Sequence, residues 1–334
     1  MARAHPTLNP LRELRATLSS MKHWALAAGS DGRNRTSLKP FTTQTARCAP
    51  SNTASIFGPA CWLRSLIKPP PGYAVAYIDY EQEEFGVAAC LSGDENMIEA
   101  YRAGDVYLAF AKQAGAIPQC GTKETHRQIR DQYKQVILAV GYGQQEHSLA
   151  QNLGCSEAKA KALLEQHHEV YKKFWDWSDR VVATIQLQNE FTTVAGWSIK
   201  RTRKLNGHEE RSIRNFPVQS TASSILHACS PMVTEAGIRV AMSVHDALLI
   251  EAPINEIEEQ ARITQEFMVE ASRQVLGGFS IRTDIKIFED RYMDERGEST
   301  WNLVMRLLKE CEPPALQYKL FSPEGTESGV ETCG

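Results

Sequence analysis

Five apolar side chains in a row, Ala74-Val75-Ala76-Tyr77-Ile78, follow Pro69-Pro70-Pro71-Gly72 and stop at Asp79. A short unbroken apolar run bounded by Pro and Gly predicts a buried strand, here ending on a carboxylate. From about residue 84 to 180 the spacing turns helical, with helices over 96–102 and 125–140. Ser156, with Lys159 three positions on, reads as the N-cap of further helix running through Trp177. Gly121 and Gly141-Tyr142-Gly143 mark breaks. Residues 237–244 and 247–253 are apolar runs separated only by His245-Asp246, which predicts a hairpin with two polar residues at its tip. Residues 254–275 follow as an amphipathic helix, and 313–334, mixed in Pro, Gly, Ser, Glu and Thr, as a frayed tail. The pattern shows no internal repeat. Strands and helices in this order predict an α+β chain, with a buried strand ending at Asp79 and a hairpin tipped by His245-Asp246 on either side of a mostly helical stretch.

Composition is that of an ordinary globular chain, 334 residues with 42% hydrophobic and 23% charged side chains. Eight cysteines are scattered with no Cys-x-x-Cys pair, which argues against a zinc ribbon or a disulfide framework and for reduced thiols in a cytosolic compartment. No apolar run approaches the length of a membrane span, so no membrane partner is expected. The net charge of −3 excludes a globally basic nucleic-acid binder. It divides unevenly, however: residues 1–72 carry ten basic and two acidic side chains, a charge of +8, and the rest of the chain carries −11. A second cationic cluster comprises Lys200, Arg201, Arg203, Lys204, Arg211 and Arg214. Either a solvated surface or a phosphate-facing rim produces such runs.

Asp79 and Asp246 lie 167 positions apart, yet adjacent strands of one sheet would bring them to one edge, where two carboxylates hold divalent cations for phosphoryl transfer. Taken alone, both residues fit turns equally well. A second feature changes that balance. Arg130, Lys134, Leu138 and Tyr142 recur at four-residue steps, with Arg127 ahead of them, so a helix places them in one slowly winding stripe. Cations followed by an apolar and an aromatic side chain suit a triphosphate at one end and a base at the other.

These residues sit in recognisable motifs. Asp79-Tyr-Glu-Gln-Glu-Glu84-Phe and the segment from Leu91 to Asp105 resemble motif A of the family A DNA polymerases, the bacterial DNA polymerase I type. Arg130-x3-Lys134-x7-Tyr142-Gly143 resembles their motif B, and Val244-His245-Asp246 their motif C. Arg211-x3-Asn215-Phe-Pro-Val-Gln219 is similar to a primer-template contact segment, and Thr45-Ala46-Arg47 to a Thr-Gly-Arg element. The resemblance covers roughly residues 30 to 300 and implies a right-hand polymerase palm with helical fingers. It implies that Asp79, Asp246 and the Tyr80 carbonyl bind two magnesium ions, with manganese as a substitute. Arg130 and Lys134 would hold the triphosphate of the incoming deoxynucleotide, Lys134 also serving catalysis, with Leu138, Tyr142, Gln82, Glu84 and Tyr107 around the nucleotide. Glu84 would act as the steric gate against a ribose 2′-hydroxyl. Arg47, Arg211, Asn215, Gln219 and His245 would contact primer-template DNA.

The match implies boundaries too: 1–40 as a basic lead-in and thumb-base remnant, 41–91 and 190–312 as palm, 92–189 as fingers, and 313–334 as tail. With about 70 residues ahead of motif A, a separate thumb, exonuclease or processivity subunit is an expected partner. A divergent phage or prophage form in a bacterial cytoplasm suits so short a chain. Several positions depart from the family pattern: Ala247 stands where motif C is acidic, Leu138 where motif B is aromatic, Tyr107 where a histidine is usual, Glu81 for a serine, and Gly86 where arginine is common. Alternatives are a single-subunit RNA polymerase, which Glu84 argues against, and a non-catalytic remnant or subunit that binds primer-template DNA without extending it. A two-metal nuclease has no need of the triphosphate stripe.

Overall fold

The computed structural model describes residues 6–8, 11–12, 15, 18–19, 21, 24–50, 54–58, 60–141, 143–201 and 205–311. The 313–334 tail and Tyr142, Arg203 and Lys204 lie outside the described residues. The fold is α+β, and its centre is a four-stranded antiparallel sheet. Strand β3 (Tyr73–Tyr80) is the predicted apolar run. It pairs on one side with β7 (Ala247–Pro253) and on the other with β8 (Thr283–Phe288), while β6 (Val240–Val244) closes the β7 edge. Because side chains alternate along a strand, Ala74, Ala76, Ile78 and Tyr80 enter the main core, whereas Val75 and Tyr77 join a second, smaller core on the opposite face. Asp79 shares the face of Val75 and Tyr77. A one-residue slip would reverse all of these positions, so the buried faces fix the register that places Asp79.

Seven helices lie, among the described residues, between β3 and the next pair of strands: α1 (Glu83–Ser92), α2 (Glu95–Arg102), α3 (Val106–Gln113), α4 (Arg127–Gly141), α5 (Glu146–Leu153), α6 (Glu157–Val170) and α7 (Lys172–Gln188). Their starts follow the local chemistry. Asp94, Asp105 and Ser156 cap α2, α3 and α6, each side chain accepting a hydrogen bond from a backbone N–H of the first turn. A short hairpin of β4 (Glu190–Thr192) and β5 (Ser198–Lys200) leads into α8 (Gly207–Glu235), and α9 (Ile257–Val275) packs across β3, β7 and β8. The last described helix, α10 (Glu298–Cys311), rests on a 3-10 turn at Cys61–Leu66. Two-residue strands β1 (Leu38–Lys39) and β2 (Ala49–Pro50) pair in the front segment.

Helix α8 is the element that the sequence pattern does not anticipate, because Pro217 and Pro231 stand inside it. Its start is nevertheless marked by a capping box, in which the Asn206 side chain accepts from His208 and Glu209 and the Glu209 carboxylate accepts from the Asn206 N–H. Smaller differences fall at boundaries. β6 begins at Val240 rather than 237, since Gly237 takes φ of 80° as the chain leaves α8. Cys48, Cys61, Cys90, Cys120, Cys155 and Cys229 are free, and no described helix is long and apolar enough to cross a membrane.

Candidate active site

The β6–β7 hairpin closes through His245 and Asp246 alone, with Val244 opposite Ala247. His245 takes φ of 54°, a left-handed conformation that two-residue hairpin loops demand and non-glycine residues adopt at a cost. Asp79 pairs with Ala247 across β3–β7, so Asp246, one position earlier, stands beside it at the end of the sheet. The Tyr80 N–H donates to the Asp246 carbonyl at 3.4 Å, and the Tyr80 hydroxyl donates to the Met268 carbonyl at 2.6 Å. Backbone pairing thus brings the two carboxylates together.

On its other side Asp79 pairs with Asp284 of β8, an acidic neighbour that the sequence reading missed. Its signal is register, which is set by strands some 200 positions apart. Asp79 Oδ1 is buried and has no hydrogen-bond partner. Burial, reinforced by the charges of Asp246 and Asp284 and relieved in part by Lys286, lifts the Asp79 carboxyl to about 7. Glu83, at the start of α1, was missed as well. It is only 3% exposed, its Oε1 has no partner, and burial together with the charge of Asp246 raises it well above the usual carboxylate range. Buried carboxylates with unpartnered oxygens are a donor set that a divalent cation would fit. No cluster of three or more His, Cys, Asp or Glu side chains is gathered into a metal centre among the described residues.

A cleft of about 830 Å³ opens between α1, α4, α6, α7 and α8. It brings together Gln82, Glu84, Tyr107, Leu138, Arg211, Asn215, Gln219 and Asp246 from the predicted set. Leu138 is 41% exposed and so presents its side chain to the opening. Gln82 turns the chain from β3 into α1 with φ of 52°, and its Nε2 reaches the Gly104 carbonyl at 3.4 Å. Arg130 and Lys134 lie side by side over the Tyr107 ring, 5.2 and 5.6 Å from its centroid. Arg211 is wedged against Gly143, where a Cβ would come within 2.9 Å of the arginine Cδ and where φ is 62°. Asn215 Nδ2 donates to the Gly141 carbonyl, tying α8 to the end of α4. His245 is exposed at the hairpin tip.

Most of the predicted cations do not wait empty-handed. Arg130 Nε donates to Asp105 Oδ2 at 2.5 Å, and its side chain is only 13% exposed. Arg47 pairs with Glu84 at 3.0 Å. In the basic front segment Arg33 grips buried Glu251 through two bonds of 2.9 Å, Arg35 pairs with Asp31, Arg64 with Asp294 and Lys68 with Asp290. Within the second cluster, Lys200 pairs with Glu190, and Arg214 with Glu210 and Asp179. Arg33, Arg47, Arg64 and Lys68 of the +8 segment are therefore already paired with acids of the rest of the chain.

Two departures from the family pattern, at 81 and 86, have structural causes, and a third, at 46, does not. Glu81 pairs with Arg282 at 3.1 Å, and Arg282 in turn covers the Tyr101 ring at 4.1 Å. Gly86 lies where a Cβ would be 2.7 Å from Ile281 and 2.9 Å from Tyr101, so those side chains leave no room for a larger residue. Ala46 takes φ of 62° at the glycine position of the Thr-Gly-Arg-like element.

Known proteins share sequence and fold with much of this chain. The sequence model of DNA polymerase family A matches residues 10–288. The thermostable DNA polymerase I of Thermus thermophilus is 30% identical over 211 residues, 60% of this chain and 25% of that protein. DNA polymerase I of Geobacillus stearothermophilus is 27% identical over 221 residues, 62% of this chain and 25% of that one. The chain thus spans about a quarter of the length of these relatives. Among solved structures, the POL domain of Pol1 from M. smegmatis, in complex with DNA primer-template and dNTP, shares the fold with a TM-score of 0.69 and 23% identity, over 84% of this chain and 51% of that one. With its sheet, its paired aspartates and the match across residues 10–288, the chain belongs to DNA polymerase family A.

Proposed function

We propose that the chain catalyses template-directed transfer of a deoxynucleotidyl unit from a deoxynucleoside triphosphate to a primer 3′-hydroxyl. The observation that carries this reading is the position of Asp79 and Asp246, paired at the end of the sheet where Asp246 opens into the cleft beneath Leu138. The M. smegmatis relative of the same fold was solved with primer-template DNA and dNTP, which supports the same ligands here. Asp79, Asp246 and the Tyr80 carbonyl would hold two magnesium or manganese ions, which when bound supply Lewis-acid stabilisation of the α-phosphate and an activated 3′-hydroxyl.

The chain's own groups do the rest. Lys134 and Arg130 bind the triphosphate and neutralise charge that builds on the leaving pyrophosphate, Arg130 exchanging Asp105 for phosphate as it does so. Leu138 and Tyr142 pack against the base, with Tyr107 below the two cations. Glu84 and Gln82 crowd the sugar edge and exclude a 2′-hydroxyl. Arg47, Arg211, Asn215, Gln219 and His245 hold the primer and template on the far wall. In this reading residues 41–91 and 190–312 are the palm, 92–189 the fingers and 1–40 the lead-in. A thumb, exonuclease or processivity subunit supplied separately would complete the grip, in the cytoplasm of a bacterial or phage-infected cell.

Primer extension with purified protein tests the assignment. The expected result is template-dictated addition of deoxynucleotides that stops when chelator removes divalent ions. Preference for ribonucleotides would overturn it in favour of an RNA polymerase. Salt-sensitive duplex binding with no extension in magnesium or manganese would favour a non-catalytic DNA-binding role, a reading to which Ala247 beside Asp79 lends support.

A further inference from the structure

An aromatic patch lies at the rim of the site, where the turn between β1 and β2 meets the β4–β5 hairpin and α8. Phe41, in that turn, is 55% exposed and takes φ of 57°. An aromatic residue with left-handed backbone and a largely exposed ring is an uncommon and strained combination, and burial is not what maintains it. Its ring stacks on Trp197, with centroids 5.9 Å apart and planes 25° apart, and meets His227 edge-on at 4.7 Å. Trp197 is itself fixed. Its indole N–H donates to the Gln44 carbonyl at 2.9 Å and its backbone N–H to Thr193 Oγ1 at 3.1 Å.

Gln44 connects the patch to the site. With Thr45 it lines a cavity of about 470 Å³ that also contains Arg211, Asn215 and Gln219. Cations stand on the elements that carry the two rings. Lys39 is exposed and makes no ion pair among the described residues, and Arg201 donates to a backbone carbonyl rather than to an acid. Rings that stack bases, with cations that follow phosphates, form the combination that grips single strands without regard to sequence. A duplex keeps its base faces stacked on one another, so only an unpaired base can use such a surface.

We propose that Phe41 and Trp197 form a stacking platform for an unpaired nucleobase of the single-stranded template overhang at the rim of the cleft, with Lys39 and Arg201 answering its phosphates. The inference rests on the polymerase reading for the identity of that strand.

Fluorescence anisotropy of the full chain tests it with three DNAs: a primer-template with an unpaired overhang, the same molecule with abasic overhang residues, and a blunt duplex. Loss of the overhang bases should weaken wild-type binding by about 5- to 100-fold. Trp197→Ala, and Phe41→Asn, which tolerates the left-handed backbone, should bind the natural overhang only as well as wild type binds the abasic one, with blunt-duplex affinity unchanged. Equal wild-type affinity for natural and abasic overhangs overturns the platform, as does a loss in the variants that is equal on blunt duplex. Failure of the polymerase reading itself would show separately, as intact overhang-dependent binding without primer extension.

Discussion

The two walls of the cleft are prepared in opposite ways. On the sheet side Asp79 is placed by backbone pairing with a buried, unbonded Oδ1, and Glu83, at the adjoining start of α1, has a buried, unbonded Oε1. On the helical side the cations already hold carboxylates, Arg130 with Asp105, Arg47 with Glu84 and Arg214 with Glu210. Lys134, which lies over Tyr107, and Arg211, which lines the cleft, make no ion pair among the described residues. The acidic wall is destabilised by like charge and gains when a cation arrives, whereas the basic wall is neutralised in advance and binds phosphate only by exchanging partners. Metal and nucleotide should therefore differ in what they do to stability.

The largest expected effect lies on the acidic wall. Asp79→Asn or Asp246→Asn should reduce primer extension by at least about 1000-fold, because neither position has a neighbouring acid at residue 247 to substitute. The same variants should melt no lower than wild type, since each removes one member of a desolvated like-charge pair. Steady-state extension and thermal melting on one preparation check both halves. Extension within tenfold of wild type would break the contrast between the walls.

Stability should depend on pH with a definite sign. The Asp79 carboxyl is raised to about 7 by burial and by the charges of Asp246 and Asp284, against about 4 in an unfolded chain. A group raised by folding contributes stability that is full below pH ~4 and is lost as pH climbs through about 7, here up to ~4 kcal/mol. Urea midpoints of the wild type should fall between pH 4 and 7 and level off above it, while Asp79→Asn should give a flatter curve. Magnesium should restore the loss at pH 8 in wild type alone.

Which parts of this were legible in the sequence follows from the range of the interactions. Local signals sufficed for β3, with its apolar run between Pro71-Gly72 and Asp79, for the His245-Asp246 hairpin and for the Ser156 cap. They sufficed as well for the α4 stripe, whose four-residue repeat is visible in Arg130, Lys134 and Leu138. Helix α8 was hidden by Pro217 and Pro231, although Asn206 and Glu209 announce it. Partners distant in sequence were out of reach: Asp284 opposite Asp79, Arg33 on Glu251, and Arg47 on Glu84. Charge counting records how many cations the chain has and is silent on which acids hold them.

Glu83 provides a smaller test of the acidic wall. Glu83→Gln keeps the shape of the side chain and removes a charge that burial and Asp246 both oppose. At pH 8 the variant should be more stable by about 1–3 kcal/mol, and near pH 4, where the wild-type carboxyl is neutral, the gain should vanish. Equal denaturation midpoints at pH 8 would mean that Glu83 has found a partner, and the acidic wall would be less exposed to charge repulsion than described.

The smallest effect, and the sharpest test of the basic wall, comes from Asp105. Its Oδ1 accepts the capping bonds from Tyr107 and Leu108, while its Oδ2 holds Arg130. Asp105→Asn keeps the cap, since asparagine caps helices as well as aspartate, but presents an amide donor where the guanidinium needs an acceptor. If Arg130 must leave Asp105 to reach phosphate, the variant should lower KM for the deoxynucleotide by about 3- to 10-fold and leave kcat near its original value, the pattern of a cost removed from binding alone. A raised KM would mean that Asp105 steers Arg130 toward the triphosphate, so that the ion pair prepares the basic wall instead of occupying it. Extension assays across a nucleotide series decide between the two by the direction of a single constant.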